Sequence, residues 1–220
     1  MTPYGESKVL AERAISLLAD DTFSPVFLRN ATVYGYSPHL RLDLVVNDLV
    51  ASALVTGEVL IRSDGTPWRP VVHVEDVSSA ILAALSAPRE AIHGEAFNVG
   101  RTPENHQVRD LADIITEVLP DSRVAYAQGG GPDARSYRVD FSKAAEDLPG
   151  FRPRWTVRDG ADQLVDAYRR FGLSAGDLAS PRFVRLRRIK ALQLEGALGR
   201  DLRSARIREG LGDRSVRGVT

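Results

Sequence analysis

The stretch Tyr4-Gly-Glu-Ser-Lys8 places a phenol and an ammonium group four residues apart at the start of the chain. Residues i and i+4 lie on one face of a helix, so both side chains can reach a single site. Apolar residues recur with helical spacing from residue 9 to residue 18, and Pro3 stands where the first turn tolerates proline. The sequence therefore predicts a helix that presents Tyr4 and Lys8 near its N-terminal end.

Short apolar runs alternate with amphipathic segments along the rest of the chain. Strands are predicted at residues 25–29, 59–61, 69–74 and 96–100, and helices at 42–56, 75–85, 108–119 and 156–171. Residues 30–35 and 128–132 are predicted to be loops. Strands that are separated by helices indicate an α/β architecture with a largely parallel sheet.

Composition narrows the possible classes of function. The 220 residues are 43% hydrophobic, which suits one domain or one domain with a small lobe, and 29 basic residues balance 29 acidic ones. The charge balance and the lack of a long apolar run argue against a nucleic-acid or membrane partner. The chain has no cysteine, and its four histidines have no metal-binding spacing. We therefore expect a cytoplasmic protein without a metal site.

The composition changes at residue 174, so we expect two units, residues 1–173 and a basic helical tail at 174–220. Residues 181–220 contain eleven Lys or Arg residues and four Asp or Glu residues. One helix is predicted at 181–198, with fraying or disorder after Gly199. Five of the ten residues 181–190 are basic, which also suits nucleic acid. The interleaved apolar residues favour an amphipathic helix that docks on the body instead.

Five segments resemble, in order, those of the extended short-chain dehydrogenases/reductases that act on nucleotide sugars, the NAD-dependent epimerase/dehydratase family. Tyr4-Gly-Glu-Ser-Lys8 resembles the Tyr-x-x-x-Lys motif of that family. The other segments are Leu28-Arg-Asn-Ala-Thr-Val-Tyr-Gly35, Gly65-Thr-Pro-Trp-Arg69 with Val72-His-Val-Glu-Asp76, Phe97-Asn-Val-Gly100 and Asp133-Ala-Arg-Ser-Tyr137. The resemblance spans residues 2 to about 170.

The resemblance implies an enzyme that transfers hydride to NAD, as an isomerase or an oxidoreductase. Tyr4 would be the base that removes the proton of a sugar hydroxyl. A free tyrosine has a pKa of about 10, so such a base needs a neighbouring positive charge. Lys8 would supply that charge and hold the nicotinamide ribose, and Asn30 would stand where the nicotinamide approaches. NADP in place of NAD remains open.

A nucleotide-sugar substrate carries a diphosphate, which calls for forked cations and amide donors. The resemblance places Arg69 and Arg135 at positions that contact the diphosphate, although a surface role stays open for each. Asn47 and Asn98 would be neighbouring polar contacts, or would only tie down local structure. Thr32 replaces an asparagine that is common in the family. The sugar, the base and the outcome of the reaction stay undetermined.

The chain lacks the Gly-x-x-Gly-x-x-Gly loop that holds the cofactor pyrophosphate in the family. The resemblance thus implies an α/β fold with the second half of a doubly wound Rossmann-type sheet, a small α/β substrate-binding lobe and a C-terminal helix. We expect a truncated enzyme that pairs with a missing N-terminal half, or a homodimer through the Tyr4 helix. The alternative is a non-catalytic or vestigial module that binds sugar nucleotides and cannot hold NAD.

Overall fold

The computed structural model describes residues 2–128 and 136–204 of the chain. Helices and strands alternate through most of these ranges. The helices are α1 (Pro3–Ser16), α2 (Val45–Thr56), α3 (Val74–Ser86), α4 (Arg89–Ile92), α5 (Val108–Val118), α6 (Ser142–Asp147), α7 (Val157–Arg170), α8 (Ala175–Ala179) and α9 (Arg185–Leu194). The strands are β1 (Phe27–Asn30), β2 (Thr32–Tyr34), β3 (Glu58–Ile61), β4 (Trp68–His73), β5 (Ala96–Val99), β6 (Asn105–Gln107) and β7 (Arg123–Tyr126). None of the helices in these ranges is long and apolar enough to cross a membrane.

Helix ends follow the local signals in the sequence. The Thr2 side chain accepts a hydrogen bond from the Gly5 amide at 3.2 Å and caps α1. Gly57, predicted as the end of the second helix, has a left-handed backbone with φ 73°. Thr156 caps α7 through a reciprocal pair of bonds with Asp159. These predicted helix boundaries are confirmed to within a few residues.

The strands of the described residues form three small sheets rather than one. β1 pairs in parallel with β5, and β3 pairs in parallel with β7. β4 lies between β2, which is parallel to it, and β6, which is antiparallel. The prediction of a loop at residues 30–35 was wrong for residues 32–34, which form β2. The sequence could not show this, because these three residues become a strand by pairing with β4. The α/β class with largely parallel pairing is confirmed.

Two hydrophobic cores support the sheets. The first core fills the space between α2, α5, α7 and β3, and it includes Val46, Leu49, Ile61, Leu111, Ile115 and Leu164. The second core lies against β1, β5, α3 and α6, and it includes Val77, Ala80, Phe97, Phe141, Leu148 and Phe151. Burial of such side chains contributes about 1.5–3 kcal/mol each. The first core carries the elements that line the candidate cleft.

Among the described residues, β1 pairs with one strand only, which is β5. Arg29 and Asn30 at its carboxyl end are exposed. An unpaired edge presents unused backbone donors and acceptors, which another strand can bond. This open edge agrees with the expectation of an incomplete sheet.

The C-terminal segment docks on the body, but it is not the single helix predicted at 181–198. A short 3₁₀ turn at Pro181–Phe183 precedes α9, and Val184 between them is extended. The Phe183 side chain packs against the first core, and its carbonyl accepts a 3.0 Å hydrogen bond from the Leu42 amide. This attachment interrupts the helix at Val184. The predicted fraying after Gly199 falls mostly on residues 205–220, which lie outside the described residues.

Candidate functional site

Tyr4 and Lys8 share one face of α1, as their spacing predicts. The Lys8 ammonium nitrogen lies 5.6 Å from the centroid of the Tyr4 ring. The Tyr4 side chain is 73% exposed, and none of the described residues of α1 is buried. The pair is therefore accessible to a ligand that approaches along the N-terminal end of the helix.

An ion pair joins α1 to the strand that carries Asn30. The Arg29 guanidinium donates two hydrogen bonds to the Glu12 carboxylate, and the Nε bond measures 3.0 Å. The bond from Arg29 lowers the pKa of Glu12 from its ordinary value. Asn30, the next residue, is exposed at the end of β1. The predicted cofactor residues thus lie on two elements that are fastened to each other.

A cleft of about 540 Å³ lies between the β2–β4–β6 sheet, the start of α2 and the end of β3. Two groups of residues line it. One group lies on β2 and β4 and in the segment after residue 135, and consists of Thr32, Arg69 and Tyr137. The other group lies at the start of α2 and the end of β3, and includes Leu44, Asp48, Leu60, Ile61 and Arg62. Both groups contain charged side chains, with Arg69 in the first group and Asp48 and Arg62 in the second.

Arg69 lies on β4 and belongs to the first of these two groups of lining residues. Its Nη1 donates a 2.9 Å bond to the Trp68 carbonyl, and its side chain is half-buried. Thr32 pairs with Val71, two residues beyond Arg69, so Thr32 and Arg69 are neighbours in the sheet. The Trp68 amide donates to Ser136 Oγ at 3.0 Å, which draws the segment that carries Tyr137 against the same strand. Arg135 itself lies outside the described residues.

The two predicted asparagines already have partners within the protein. Asn47 is 2% exposed; its Oδ1 accepts from the Gly35 amide at 3.0 Å and its Nδ2 donates to the Arg41 carbonyl at 2.9 Å. Asn98 Nδ2 donates to the Asp140 carbonyl at 3.1 Å. Asn47 therefore ties both ends of the loop at residues 35–41 to α2, which lines the cleft.

Tyr34 and Gly35 pack against His73. The Tyr34 ring meets His73 edge-on at 5.3 Å, and Trp155 stacks on the other side at 3.8 Å. A Cβ at Gly35 would lie 2.4 Å from the His73 ring, so only glycine fits there. Burial lowers the pKa of His73, against the opposing effect of its hydrogen bond with Gln163. His73 thus acts as a neutral packing residue.

Sequence reasoning missed two ion pairs at the cleft. Arg41 holds Asp43 with bonds of 2.9 and 2.8 Å, and Arg62 holds Asp48 with bonds of 3.1 and 3.2 Å. The hydrogen bond to Asp43 and the negative charge of Asp43 raise the pKa of Arg41. The short Arg-x-Asp spacing was the only sequence signal for the first pair.

The described residues fit one part of NAD. Lys8 and Asn30 are accessible and could meet the nicotinamide ribose and ring, beside Tyr4. The pyrophosphate normally lies on a glycine-rich turn at a helix N-terminus. The chain has no Gly-x-x-Gly-x-x-Gly sequence. The first four helices begin after Thr2, Leu44, His73 and Pro88, and none of these four follows a glycine-rich turn. These residues do not fit the phosphates of the cofactor.

Comparison with known proteins shows the family of residues 1–100. Residues 1–100 match the family model described as the NAD dependent epimerase/dehydratase family. These residues belong to that family. This confirms the resemblance that was inferred from the ordered motifs.

The similarity of this chain to curated proteins extends beyond residue 100. UDP-glucuronic acid decarboxylase 1 of Arabidopsis thaliana is 27% identical over 177 residues, which cover 77% of this chain and 39% of that protein. GDP-L-fucose synthase 1 of the same plant is 30% identical over 112 residues, covering 50% of this chain and 33% of that protein. The chain thus spans less than half of the length of these curated relatives.

A solved structure shows the same fold. MoeE5 in complex with UDP-glucuronic acid and NAD is 31% identical, with a TM-score of 0.64. The match covers 77% of this chain and 56% of MoeE5. The α/β arrangement described above is therefore that of about half of a Rossmann-type epimerase/dehydratase.

Proposed function

We propose that this chain supplies the catalytic helix and the nucleotide-sugar cleft of an NAD-dependent epimerase/dehydratase. The observation that carries the proposal is the cleft that Thr32, Arg69 and Tyr137 line together. Tyr4 is the proposed base, and Lys8 is the proposed contact to the nicotinamide ribose. Residues 1–173 form the proposed enzymatic unit, and residues 174–220 form an appended basic tail.

The cleft suits a nucleoside diphosphate sugar by its size and by the arginine side chain that lines it. A volume of about 540 Å³ lies in the range of pockets that hold ligands of that size. The Arg69 guanidinium offers a planar set of donors to the diphosphate, and we propose Arg135 as a second such donor. Asn98 is proposed as a polar neighbour, while Asn47 acts by positioning the loop at residues 35–41. The names of the relatives include both uridine and guanosine nucleotides, so the base is not chosen by similarity.

A separate segment must complete the NAD site in this proposal. The open edge of β1 can accept a parallel strand, and this edge ends at Asn30 beside the Tyr4 helix. The two helices that contact β1 carry exposed apolar side chains, with Leu10 at 55% on α1 and Leu82 at 65% on α3. A strand followed by a glycine-rich loop at this edge would bring the pyrophosphate site next to Lys8.

The alternative function is a sugar-nucleotide-binding module that does not hold NAD. This function would use the cleft alone and needs no glycine-rich phosphate loop, which these 220 residues do not contain. Both functions use the same cleft, and they differ in whether Tyr4 takes part in hydride transfer. They are separated by fusing a strand and glycine-rich loop upstream of Pro3 and measuring two quantities, the conversion of the nucleotide sugar and the transient absorbance of enzyme-bound NADH, since the hydride taken by NAD is returned later in the same cycle.

The cleft is tested by calorimetric titration of nucleoside diphosphate sugars into the chain. Arg69→Ala should weaken binding about tenfold to a hundredfold, since a hydrogen bond from a charged group contributes about 1.5–3 kcal/mol. Arg170→Ala removes an exposed arginine at the end of α7, far along the chain from the cleft residues, and serves as the matched control. Equal affinities in the wild type and Arg69→Ala would contradict the proposed site.

The base is tested in the fused protein that contains the phosphate loop. Tyr4→Phe should lower turnover by about 10²- to 10⁴-fold, because general-base catalysis contributes that much. The substitution leaves the exposed ring in place, so the stability of α1 should not change. Turnover that survives Tyr4→Phe would rule out Tyr4 as the base, and a fused protein without any turnover would favour the non-catalytic module.

A further inference from the structure

We propose that the C-terminal tail positions one wall of the nucleotide-sugar cleft, with Phe183 and Arg185 as the positioning residues. The wall is the turn at residues 42–44, which immediately precedes α2. This inference rests on the proposed function, because it takes the cleft as the nucleotide-sugar site. It assigns a role to residues 174–194, which follow the part of the chain that resembles the epimerase/dehydratase family.

The turn belongs both to the cleft and to the core beneath it. Asp43 and Leu44 line the cleft. The side chain of Leu42 is 4% exposed and lies in the first core. Leu44 makes no side-chain hydrogen bond that caps α2, so the start of this helix depends on other contacts for its position. Movement of the turn would therefore change the shape of the cleft.

The loop that leads to the turn is held without the tail. The Tyr36 ring stacks on Phe171 at the end of α7, with the ring centroids 5.4 Å apart. Asn47 on α2 accepts a hydrogen bond from the Gly35 amide and donates one to the Arg41 carbonyl. These contacts reach as far as Arg41 and leave the turn itself to other partners.

The tail supplies such partners for the turn. The Leu42 amide donates a 3.0 Å hydrogen bond to the Phe183 carbonyl, and the Phe183 side chain packs against the first core. Leu178 on α8 packs against the same core. Release of the tail would take this acceptor away from the Leu42 amide, and a buried donor without a partner is unfavourable. The docked tail therefore favours one position of the turn.

Arg185 adds an electrostatic effect on the same turn. The hydrogen bond from Arg41 is the main cause that lowers the pKa of Asp43, and the positive charge of Arg185 lowers it to a smaller extent. Asp43 lines a cleft that is proposed to receive a diphosphate, in which each phosphate is negatively charged. A second cation near this carboxylate reduces its repulsion of the ligand. The tail thus supports anion binding without lining the cleft itself.

The packing role is tested by titrating UDP-glucose and GDP-glucose into the whole chain and into variants of the tail. Phe183→Ala should weaken binding at least about fivefold, because only the molecules with a docked tail bind well. Phe183→Leu keeps an apolar side chain and should restore most of the affinity. Leu194→Ala removes a side chain that is 90% exposed on α9 and is the matched control. Unfolding midpoints by circular dichroism establish that each variant is folded.

The electrostatic role is tested by reversing the charge of Arg185. Arg185→Glu places a second carboxylate near Asp43, so binding should weaken at least about threefold, and the loss should shrink at high salt. Lys190→Glu makes the same change of charge at an exposed residue about 140° further around α9. This control should keep nearly the affinity of the wild type.

Coupling between the tail and the ligand must act in both directions. The tail contains four arginines between residues 182 and 188, so trypsin can cleave it whenever it leaves the body. Saturating nucleotide sugar should slow this cleavage in the wild type at least about fivefold. The same concentration should give little protection to Arg69→Ala. This measurement is made on the wild type, so it does not depend on the folding of the tail variants.

The outcomes separate this inference from the function on which it rests. Binding that Arg69→Ala weakens and Phe183→Ala leaves unchanged overturns the positioning role while the proposed function stands. A bound ligand that does not slow cleavage of the tail overturns it equally. If neither nucleotide sugar binds to the wild type, the proposed cleft fails and the positioning role fails with it.

Discussion

The carboxylate of Asp76 should be a large contributor to the stability of the fold. It is 3% exposed, and its two oxygens accept hydrogen bonds from the Arg154 and Trp155 amides, each at 3.1 Å. These bonds fix the segment that leads into α7, the helix that packs against α2 in the first core. Asp76 thus connects α3, beside the second core, to the helix that supports the cleft.

The magnitude follows from the two bonds. Asp76→Asn keeps one acceptor but turns an amino group towards one amide donor, so one bond is lost and two donors are left facing each other. A hydrogen bond to a charged group contributes about 1.5–3 kcal/mol, and a buried unsatisfied donor costs about 1–3 kcal/mol. We expect the free energy of unfolding to fall by about 2–4 kcal/mol, a large share of the roughly 5–15 kcal/mol of a typical domain.

Urea unfolding followed by circular dichroism measures this change. Asp121→Asn makes the same chemical change at an exposed residue and should stay within about 0.5 kcal/mol of the wild type. If Asp76→Asn were as stable as Asp121→Asn, the anchoring role of the carboxylate would be refuted.

Three further predictions concern packing, pH and the tail. Gly35→Ala should lower the free energy of unfolding by more than about 2 kcal/mol, because Gly35 has a φ of 109° and the new Cβ meets the His73 ring. In the control Gly94→Ala, φ is 71° and the space is open, so only the backbone strain should remain. Thermal unfolding of the two variants measures the difference. Burial lowers the pKa of His73, so the imidazole takes up a proton at a higher pH in the unfolded chain than in the folded one. The free energy of unfolding should therefore fall as the pH drops below about 6.5, by at most about 1.4 kcal/mol per pH unit. In His73→Gln the free energy of unfolding should fall less steeply between about pH 7.5 and 5.5. Phe183→Ala should release the tail from the first core and speed limited proteolysis at residues 174–194, whereas unchanged cleavage would contradict the docking described above.

Local signals in the sequence predicted the longer helices α1, α2, α3, α5 and α7, but not the short helices α4, α6 and α8. Gly57 and Thr156 have local physical reasons to end and begin helices, and they do so in the structure. The spacing of Tyr4 and Lys8 likewise predicted a shared helical face. Such features depend on neighbouring residues and can be read without the fold.

Features that depend on distant partners could not be predicted in this way. Thr32 begins a strand because it pairs with Val71, far along the chain. Val184 interrupts the tail helix because the adjacent Phe183 is attached to Leu42. The cleft residues Asp48 and Arg62 come together from α2 and the end of β3, so neither has a signal in the sequence. The internal bonds of Asn47 were hidden for the same reason.

Titration of NAD into the 220-residue chain, followed by calorimetry, tests the central claim most directly. The claim is that these residues carry the Tyr4 base and the nucleotide-sugar cleft but do not by themselves hold the phosphates of the cofactor. Lys8 and Asn30 alone should give a dissociation constant weaker than about 1 mM, corresponding to less than about 4 kcal/mol of binding free energy. A micromolar dissociation constant for NAD would contradict the account, because it would require a phosphate site within these residues.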